Sequence, residues 1–262
     1  MIENPLRWPN GARCAVAFTF DMDAESLLHI YQPETAHNRL ALSSMLRYGP
    51  EVAVPRIVAT YRRFGLRQTF FIPGWCIEQY PRAVELILAG GHEIAHHGYL
   101  HEKPNQLTRA EEHDWLRRAI ETITRATGRR PLGYRAPSYA FSRHTLELLL
   151  EEGFEYDASL SGHDIPYVLA GEGGRLVELP ADVPLDDWTQ YVCLRDFGYM
   201  LPIAAPHRCR TCRPVRACAG TDTRRWREPP YSGTTAITSI STRALTGTSP
   251  VMTPVLATRV EK

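Results

Sequence analysis

The chain has 262 residues, 44% of them apolar and 23% charged, with a formal net charge of +1. That length suits one barrel-sized domain or two small ones. The near-neutral balance excludes a global field that would draw the chain to nucleic acid or acidic lipid, and no run approaches the ~20 apolar residues of a membrane span.

The opening stretch "MIENPLRWPNGARC" has an acid, two prolines and no apolar h-region, so no secretory signal is read and the cytoplasm is the expected location. "ARCAVAFTFDMD" (12–23) predicts a buried strand in which Thr19, Asp21 and Asp23 share one face. Residues 26–50, with Pro33, Gly49 and Pro50, read as an irregular substrate-contacting loop. "PRIVATYRRFG" (55–65) predicts a helix with proline in its first turn and glycine after its end. "RQTFFIPG" (67–74) predicts a strand, "YPRAVELILAGG" (80–91) a helix, and "HEIAHH" a short strand. Residues 108–128 predict a helix with a Thr108-x-x-Glu111 capping box and a terminal Gly128. "LGYRAP" (132–137), "EYDAS" and "RLVELP" (175–180) predict further strands, and 142–154 a helix capped by Ser142. Alternating strands and helices imply a parallel sheet with helices outside, either an open doubly wound sheet or a closed barrel.

The chemistry concentrates in "GGHEIAHHGYLHE" (90–102). His92-Glu93-Ile94-Ala95-His96 is a literal HExxH, but a zinc peptidase needs that motif inside a helix. Gly90, Gly91 and Gly98 bracket it, and glycine on both sides opposes a long helix. The other spacing is His97-Gly98-Tyr99-Leu100-His101, two imidazoles able to grip one ion across a strand end and a turn. A catalytic site of this kind uses three protein groups plus water. Asp21 and Asp23, near the C-terminal end of the first strand, are the candidate carboxylates, because strand C-termini are where α/β folds place chemistry.

The ordered set "FTFDMDAE", "TFFIPGW", "GHEIAHHGYLH", "GYRAPSYAFS" and "YDASL" resembles the polysaccharide deacetylases of the NodB-homology type, carbohydrate esterase family 4. More closely it resembles their intracellular peptidoglycan-deacetylase-like and cyclic-imide-hydrolase-like branch. The resemblance covers roughly residues 10–200. It implies an α/β fold, a distorted (β/α)7 barrel, incomplete here at its C-terminal end. It implies a divalent metal ion, zinc first, with cobalt, manganese or iron as alternatives, on Asp23, His97 and His101. It implies that Asp21 is the general base, that Arg135 orients it, and that a backbone N–H near Ser138 binds the oxyanion. Asp187 and Trp188 match a later acid–aromatic motif. Trp75 and Tyr139 are read as core or pocket wall, and His92 and His96, on the strand face opposite His97, as structural, with a place behind the metal ligands as the alternative for His96. The implied activity is metal-dependent hydrolysis of a non-peptide carbon–nitrogen bond, N-deacetylation of an acetamido sugar or, alternatively, opening of a small amide or cyclic imide. The expected partners are thus a saccharide or small-molecule substrate, with no nucleic acid or membrane, and self-association left open.

The family's late His-Pro general acid has no match here. After residue 180 the only histidine is His207, in "APHRC". The division expected is a domain over 1–206 and an atypical Arg/Thr/Ser-rich tail over 207–262, either disordered or the product of out-of-frame translation. A chain lacking its general acid is a third reading, a metal-binding but catalytically impaired protein. Cys209-x-x-Cys212 with His207 and Cys218 is a weak zinc-knuckle signal, and the arginine-rich tail lacks a nucleic-acid module.

Overall fold

The computed structural model describes residues 11–12, 15–181, 186 and 188. The strands are β1 (Thr19–Asp21), β2 (Thr69–Ile72), β3 (Glu93–His96), β4 (Gly133–Tyr134), β5 (Tyr156–Asp157), β6 (Tyr167–Gly171) and β7 (Gly174–Glu178). They form one sheet in the order β1-β2-β3-β4-β5-β7-β6, parallel except for the β6–β7 hairpin. Among the described residues the sheet is open, with β1 at one edge and β6 at the other. No helix among them is long and apolar enough to cross a membrane.

The helices are α1 (Ser26–Tyr31), α2 (Leu40–Tyr48), α3 (Val54–Arg63), α4 (Gly74–Gln79), α5 (Pro81–Ala89), α6 (Arg109–Thr127) and α7 (Thr145–Glu151). The sheet alternates as strands must. Phe20, Phe70, Ile72 and Ile94 pack toward the helices with Val58, Ile77, Val84 and Ile87. Phe71, Ala95, Tyr156 and Ala158 form a second cluster on the other face. Glu93 lies on that face too, where its carboxylate accepts from Thr69 Oγ1 (2.6 Å) and Tyr156 OH (2.9 Å).

The register decides where chemistry can sit. Ile72 pairs with His96, His96 with Tyr134, Tyr134 with Asp157, and Asp157 with Glu178. These residues are the C-terminal rim of the parallel strands, and Asp23, His97, Arg135 and Ser159 follow it directly.

Helix α6 shows the predicted capping box: Thr108 Oγ1 accepts from Glu111 N, and Glu111 Oε2 accepts from Thr108 N at 2.9 Å. Gly128 ends it at φ +73°. We expect Thr108→Ala to cost about 1 kcal/mol, read as a lowered thermal midpoint with the site unchanged. The helix predicted over 142–154 contracts to α7 with His144 in the cap position, and Ser142 braces the turn before it, its Oγ accepting from His144 N (2.9 Å) and Thr145 N (3.1 Å).

Three other expectations change. The predicted strand over 12–23 contracts to Thr19–Asp21. Residues 26–50 are not an irregular loop: they form α1, a 3-10 turn at Ala36–Asn38 and α2, followed by a π-helical turn at Gly49–Ala53. The two helices are too short to be stable alone. They form because Leu27, Leu28, Ala36 and Leu46 bury one another with Tyr31, Leu42 and Trp188. Finally, α4 and the edge strand β6 carry no strong periodic signal in the sequence and appear only through packing.

Candidate metal centre

At the rim, Asp23, His97 and His101 bring one ligand atom each to within 4.8 Å of one another, all three buried. His97 Nε2 lies 3.5 Å from Asp23 Oδ1, and His101 Nε2 lies 3.5 Å from Asp23 Oδ2. The HExxH stretch is a strand, as the glycines predict, and so is not a peptidase helix. His97 and Ala95 face inward, while His96 faces the helices.

Each ligand is aimed by a specific bond. His97 Nδ1 donates to Arg135 O at 2.8 Å, which leaves the Nε2 lone pair directed at the site. His96 accepts from Gly98 N through Nδ1 (3.1 Å), so its Nε2–H donates to Leu116 O (3.1 Å). Burial lowers its pKa to about 4, so this brace stays neutral at pH 7 and fixes the turn between the two ligand histidines. Glu102 finishes the turn by accepting from Tyr99 N and Leu100 N. Asp23 is held through its backbone: its carbonyl accepts from Ser26 Oγ (2.6 Å) and Cys76 Sγ (2.9 Å).

Gly98 sits at φ +72°, where a Cβ would lie 2.7 Å from Glu102 Oε1 and 2.9 Å from Pro137 Cγ. Gly98→Ala therefore combines left-handed strain with a clash between His97 and His101. We expect a cost of about 1–3 kcal/mol and at least tenfold weaker zinc binding in a chelator competition, with Gly128→Ala as the distant control for strain alone.

Beside the triad lies the base candidate. Arg135 Nη1 donates to Asp21 Oδ1 at 2.5 Å, Nη2 to Thr19 Oγ1 and Nε to Ala158 O, both at 3.0 Å. Its guanidinium covers the Phe71 ring at 4.1 Å and is fully buried. Asp21 Oδ2 lies 3.8 Å from His97 Nε2.

The electrostatics ask for a cation. Burial, then the carboxylates of Asp21 and Asp186, push Asp23 well above the usual carboxylate range. Asp186 itself is pushed up to about 6 by burial and by Asp21. Burial lowers His101 to about 3, and burial with His101 beside it holds His97 well below its ordinary value, so both imidazoles present lone pairs rather than charge. Asp23 Oδ1 and His101 Nδ1 are buried without a hydrogen-bond partner among the described residues. Two neutral imidazoles, one carboxylate and an orphaned carboxylate oxygen fit a divalent ion of borderline softness. Such an ion would reverse the upward push on Asp23.

Backbone strain marks the same place. The four non-glycine residues with positive φ among those described are Ala24, His101, Ser138 and Tyr139, all at this rim. Such positions persist only when the surroundings over-determine them.

Of the candidate pocket residues, Tyr139 is at the site: its hydroxyl donates to Asp186 Oδ2 at 3.2 Å. Ser138 Oγ pairs with Tyr31 OH at 3.1 Å. Trp75 packs on His29, 4.8 Å between ring centroids, and Trp188 packs against the α1–α2 apolar cluster. Asp187, His207 and the cysteine cluster lie outside the described residues. Asp186 and Tyr31 join the site without a motif to announce them. Asp186 is one residue from the acid–aromatic match, and Tyr31 sits in the segment that reads as a loop.

The fold and the site together define a class: an α/β protein with a buried two-histidine, one-aspartate cluster that could hold a metal ion at the C-terminal rim of its parallel strands. A family model described as polysaccharide deacetylase matches residues 41–156. A crystal structure from Mycobacterium smegmatis assigned to the polysaccharide deacetylases is 46% identical, covering 74% of this chain and 67% of that one, with a TM-score of 0.71. The peptidoglycan deacetylase of Helicobacter pylori is 34% identical across 59% of this chain and 62% of that protein. The crystal structure of PuuE allantoinase is 25% identical, covering 71% of this chain and 68% of the other, with a TM-score of 0.62. This chain belongs to the polysaccharide deacetylase family. It spans between 43% and 62% of the length of the curated relatives it matches.

Proposed function

We propose that this chain is a metal-dependent hydrolase of non-peptide carbon–nitrogen bonds, with the acetamido group of an amino sugar as its substrate. The observation that carries the reading is the buried Asp23–His97–His101 set placed against the Asp21–Arg135 ion pair. Asp23, His97 and His101 would hold one divalent ion, zinc first among the candidates. When bound, that ion would supply Lewis acidity toward water and the amide carbonyl.

The protein groups divide the remaining work. Asp21 is the acceptor for the proton of the attacking water. Burial leaves its pKa raised, which suits a proton acceptor, and the Arg135 guanidinium opposes part of that rise by Coulombic attraction and a hydrogen bond. Arg135 also fixes the direction of the carboxylate, since its three donors are tied to Asp21, Thr19 and Ala158. Past Arg135, the Tyr139 N–H is already used by Ala136 O (2.8 Å). Ser138 N–H is thus the backbone donor assigned to the developing oxyanion. His207, the only histidine after residue 180, lies outside the described residues, and no part in protonating the leaving nitrogen is given to it.

A second reading is favoured by the likeness to PuuE allantoinase: the same constellation opening a small cyclic amide. One experiment separates the readings. Zinc-loaded full-length protein is assayed on N-acetylglucosamine oligomers and on simple cyclic imides and ureides. Release of acetate supports the deacetylase, and ring opening supports the alternative. A zinc-loaded chain that turns over neither, with Asp21→Asn indistinguishable from it, overturns the hydrolase reading and leaves a metal-binding, catalytically impaired chain.

A further inference from the structure

On the helix side of the sheet, opposite the face that carries Phe71 and Tyr156, a second pair of carboxyl groups lies in the rim row of the strands. β5 and β7 are in register with Asp157 beside Glu178, and both are fully buried. Two ionised carboxylates on neighbouring strands in a dry interior repel strongly, and burial penalises each charge again. The charged and titratable groups facing Glu178 are Asp157 on β5, Tyr167 on β6 and, from beyond β4, Arg135. Tyr134 on β4 faces Asp157. Arg135 sends its guanidinium to Asp21, on the other face.

The hydrogen bonds assign the protons. Asp157 accepts from Ser159 Oγ (2.6 Å) and from Ser159 N (3.1 Å), the environment of an ionised carboxylate. Glu178 Oε1 accepts from Leu160 N (2.9 Å), while Oε2 is buried without a partner in its ionised form. A proton on Glu178 removes that defect, because the acid can then donate to Asp157. Burial, with Asp157 beside it, pushes Glu178 up to about 10.

This pair connects to the site. Ser159 Oγ, oriented by donating to Asp157, accepts from Ala136 N at 2.8 Å. Ala136 follows Arg135, whose carbonyl takes the His97 Nδ1–H and whose guanidinium holds Asp21.

We propose that Glu178 and Asp157 share one proton as an acid pair, and that through Ser159 this pair positions the Arg135–Ala136 segment on which both the base and a metal ligand depend. Glu178, Asp157 and Ser159 are positioning residues, and the proposal rests on the roles given above to Asp21 and His97.

The sign of the pH effect follows from linkage. The folded chain keeps the Glu178 proton to about pH 10, whereas the unfolded chain loses it near 4.5. Stability from this group is therefore full below 4.5 and declines as pH rises toward 10.

The test uses the full-length chain as wild type, Glu178→Gln and Ser159→Ala. Unfolding free energy is measured by urea titration from neutral pH to about 10, and zinc affinity by competition with a chromophoric chelator. Glu178→Gln keeps the shape and a donor toward Asp157, so it is expected to bind zinc as wild type does while losing part of the alkaline decline. Ser159→Ala is expected to keep the decline and bind zinc about 10- to 100-fold more weakly. Equal alkaline slopes in wild type and Glu178→Gln would overturn the shared proton. Wild-type zinc affinity in Ser159→Ala would overturn the positioning role. If the wild type bound no zinc, the metal-centre reading would fail and the positioning role with it, while the slope comparison still decides the acid pair.

Discussion

Asp23→Asn is expected to abolish stoichiometric zinc binding and to leave the metal-free chain at least as stable as the wild type. Both parts follow from one observation. Asp23 is buried among Asp21 and Asp186, and burial together with those carboxylates disfavours its ionised form. One carboxylate oxygen has no hydrogen-bond partner among the described residues. The backbone bonds that hold the turn, from Ser26 and Cys76 to the Asp23 carbonyl, do not involve the side chain and survive the substitution. Without an ion, the carboxylate is a source of repulsion, and replacing it with an amide relieves that repulsion. With an ion, the same carboxylate is a ligand whose loss exceeds the 10- to 100-fold penalty typical of supporting groups. Stability conceded for function is the usual mark of a binding site. Elemental analysis and urea unfolding, each with and without chelator, check both halves. Zinc retained at one ion per chain in Asp23→Asn would remove this residue from the ligand set.

Arg135→Met is expected to be the most damaging single change at the site, costing about 3–5 kcal/mol of stability and at least 100-fold in any hydrolytic turnover. Arg135 is fully buried and, from the end of β4, ties in two further strands: β1 through Thr19 and Asp21, and β5 through Ala158 just past its end. Its removal leaves Asp21 as an uncompensated buried acid. Arg135→Lys does not rescue, because one ammonium cannot replace the planar fork that reaches all three partners. The diagnostic is the double variant. Arg135→Met combined with Asp21→Asn removes both partners and should recover part of the lost stability, a coupling of about 1–3 kcal/mol, while activity stays lost. Additive costs in that cycle would mean that Arg135 acts as packing on Phe71 and not as the counter-ion of the base.

The family relationship is legible in the residues for a physical reason. The site is written in short stretches at strand ends: Asp21 closes one strand and Asp23 lies just past it, His97 and His101 follow another, and Arg135 follows a third. Side-chain alternation fixes which of these face inward. Glycine at 90, 91 and 98 excludes the peptidase helix, since those residues mark turns. The helices with strong caps, α6 above all, are equally plain, because a capping box and a terminal glycine are local features.

Other features depend on contacts that no local pattern records. The segment 26–48 lacks a strong period and contains proline, and it becomes helical because Leu27, Leu28 and Leu46 find one another and Trp188. Tyr31 therefore stands beside Ser138, 107 residues later in the chain. Asp186 enters the site from just beside the motif that points to Asp187, which lies outside the described residues. The order of the strands, and with it the pairing of Asp157 to Glu178, is a property of the sheet. The candidate donors, His97 and His101 with Asp21 or Asp23, can be read from residue type and position near a strand end, whereas the division into ligand and base and the part given to Arg135 come from the family resemblance. Folding in three dimensions adds the rest: the donors converge within 4.8 Å, they are buried, and Asp157 and Glu178 are buried side by side on neighbouring strands. Burial and convergence come from long-range packing, which short spacings do not encode.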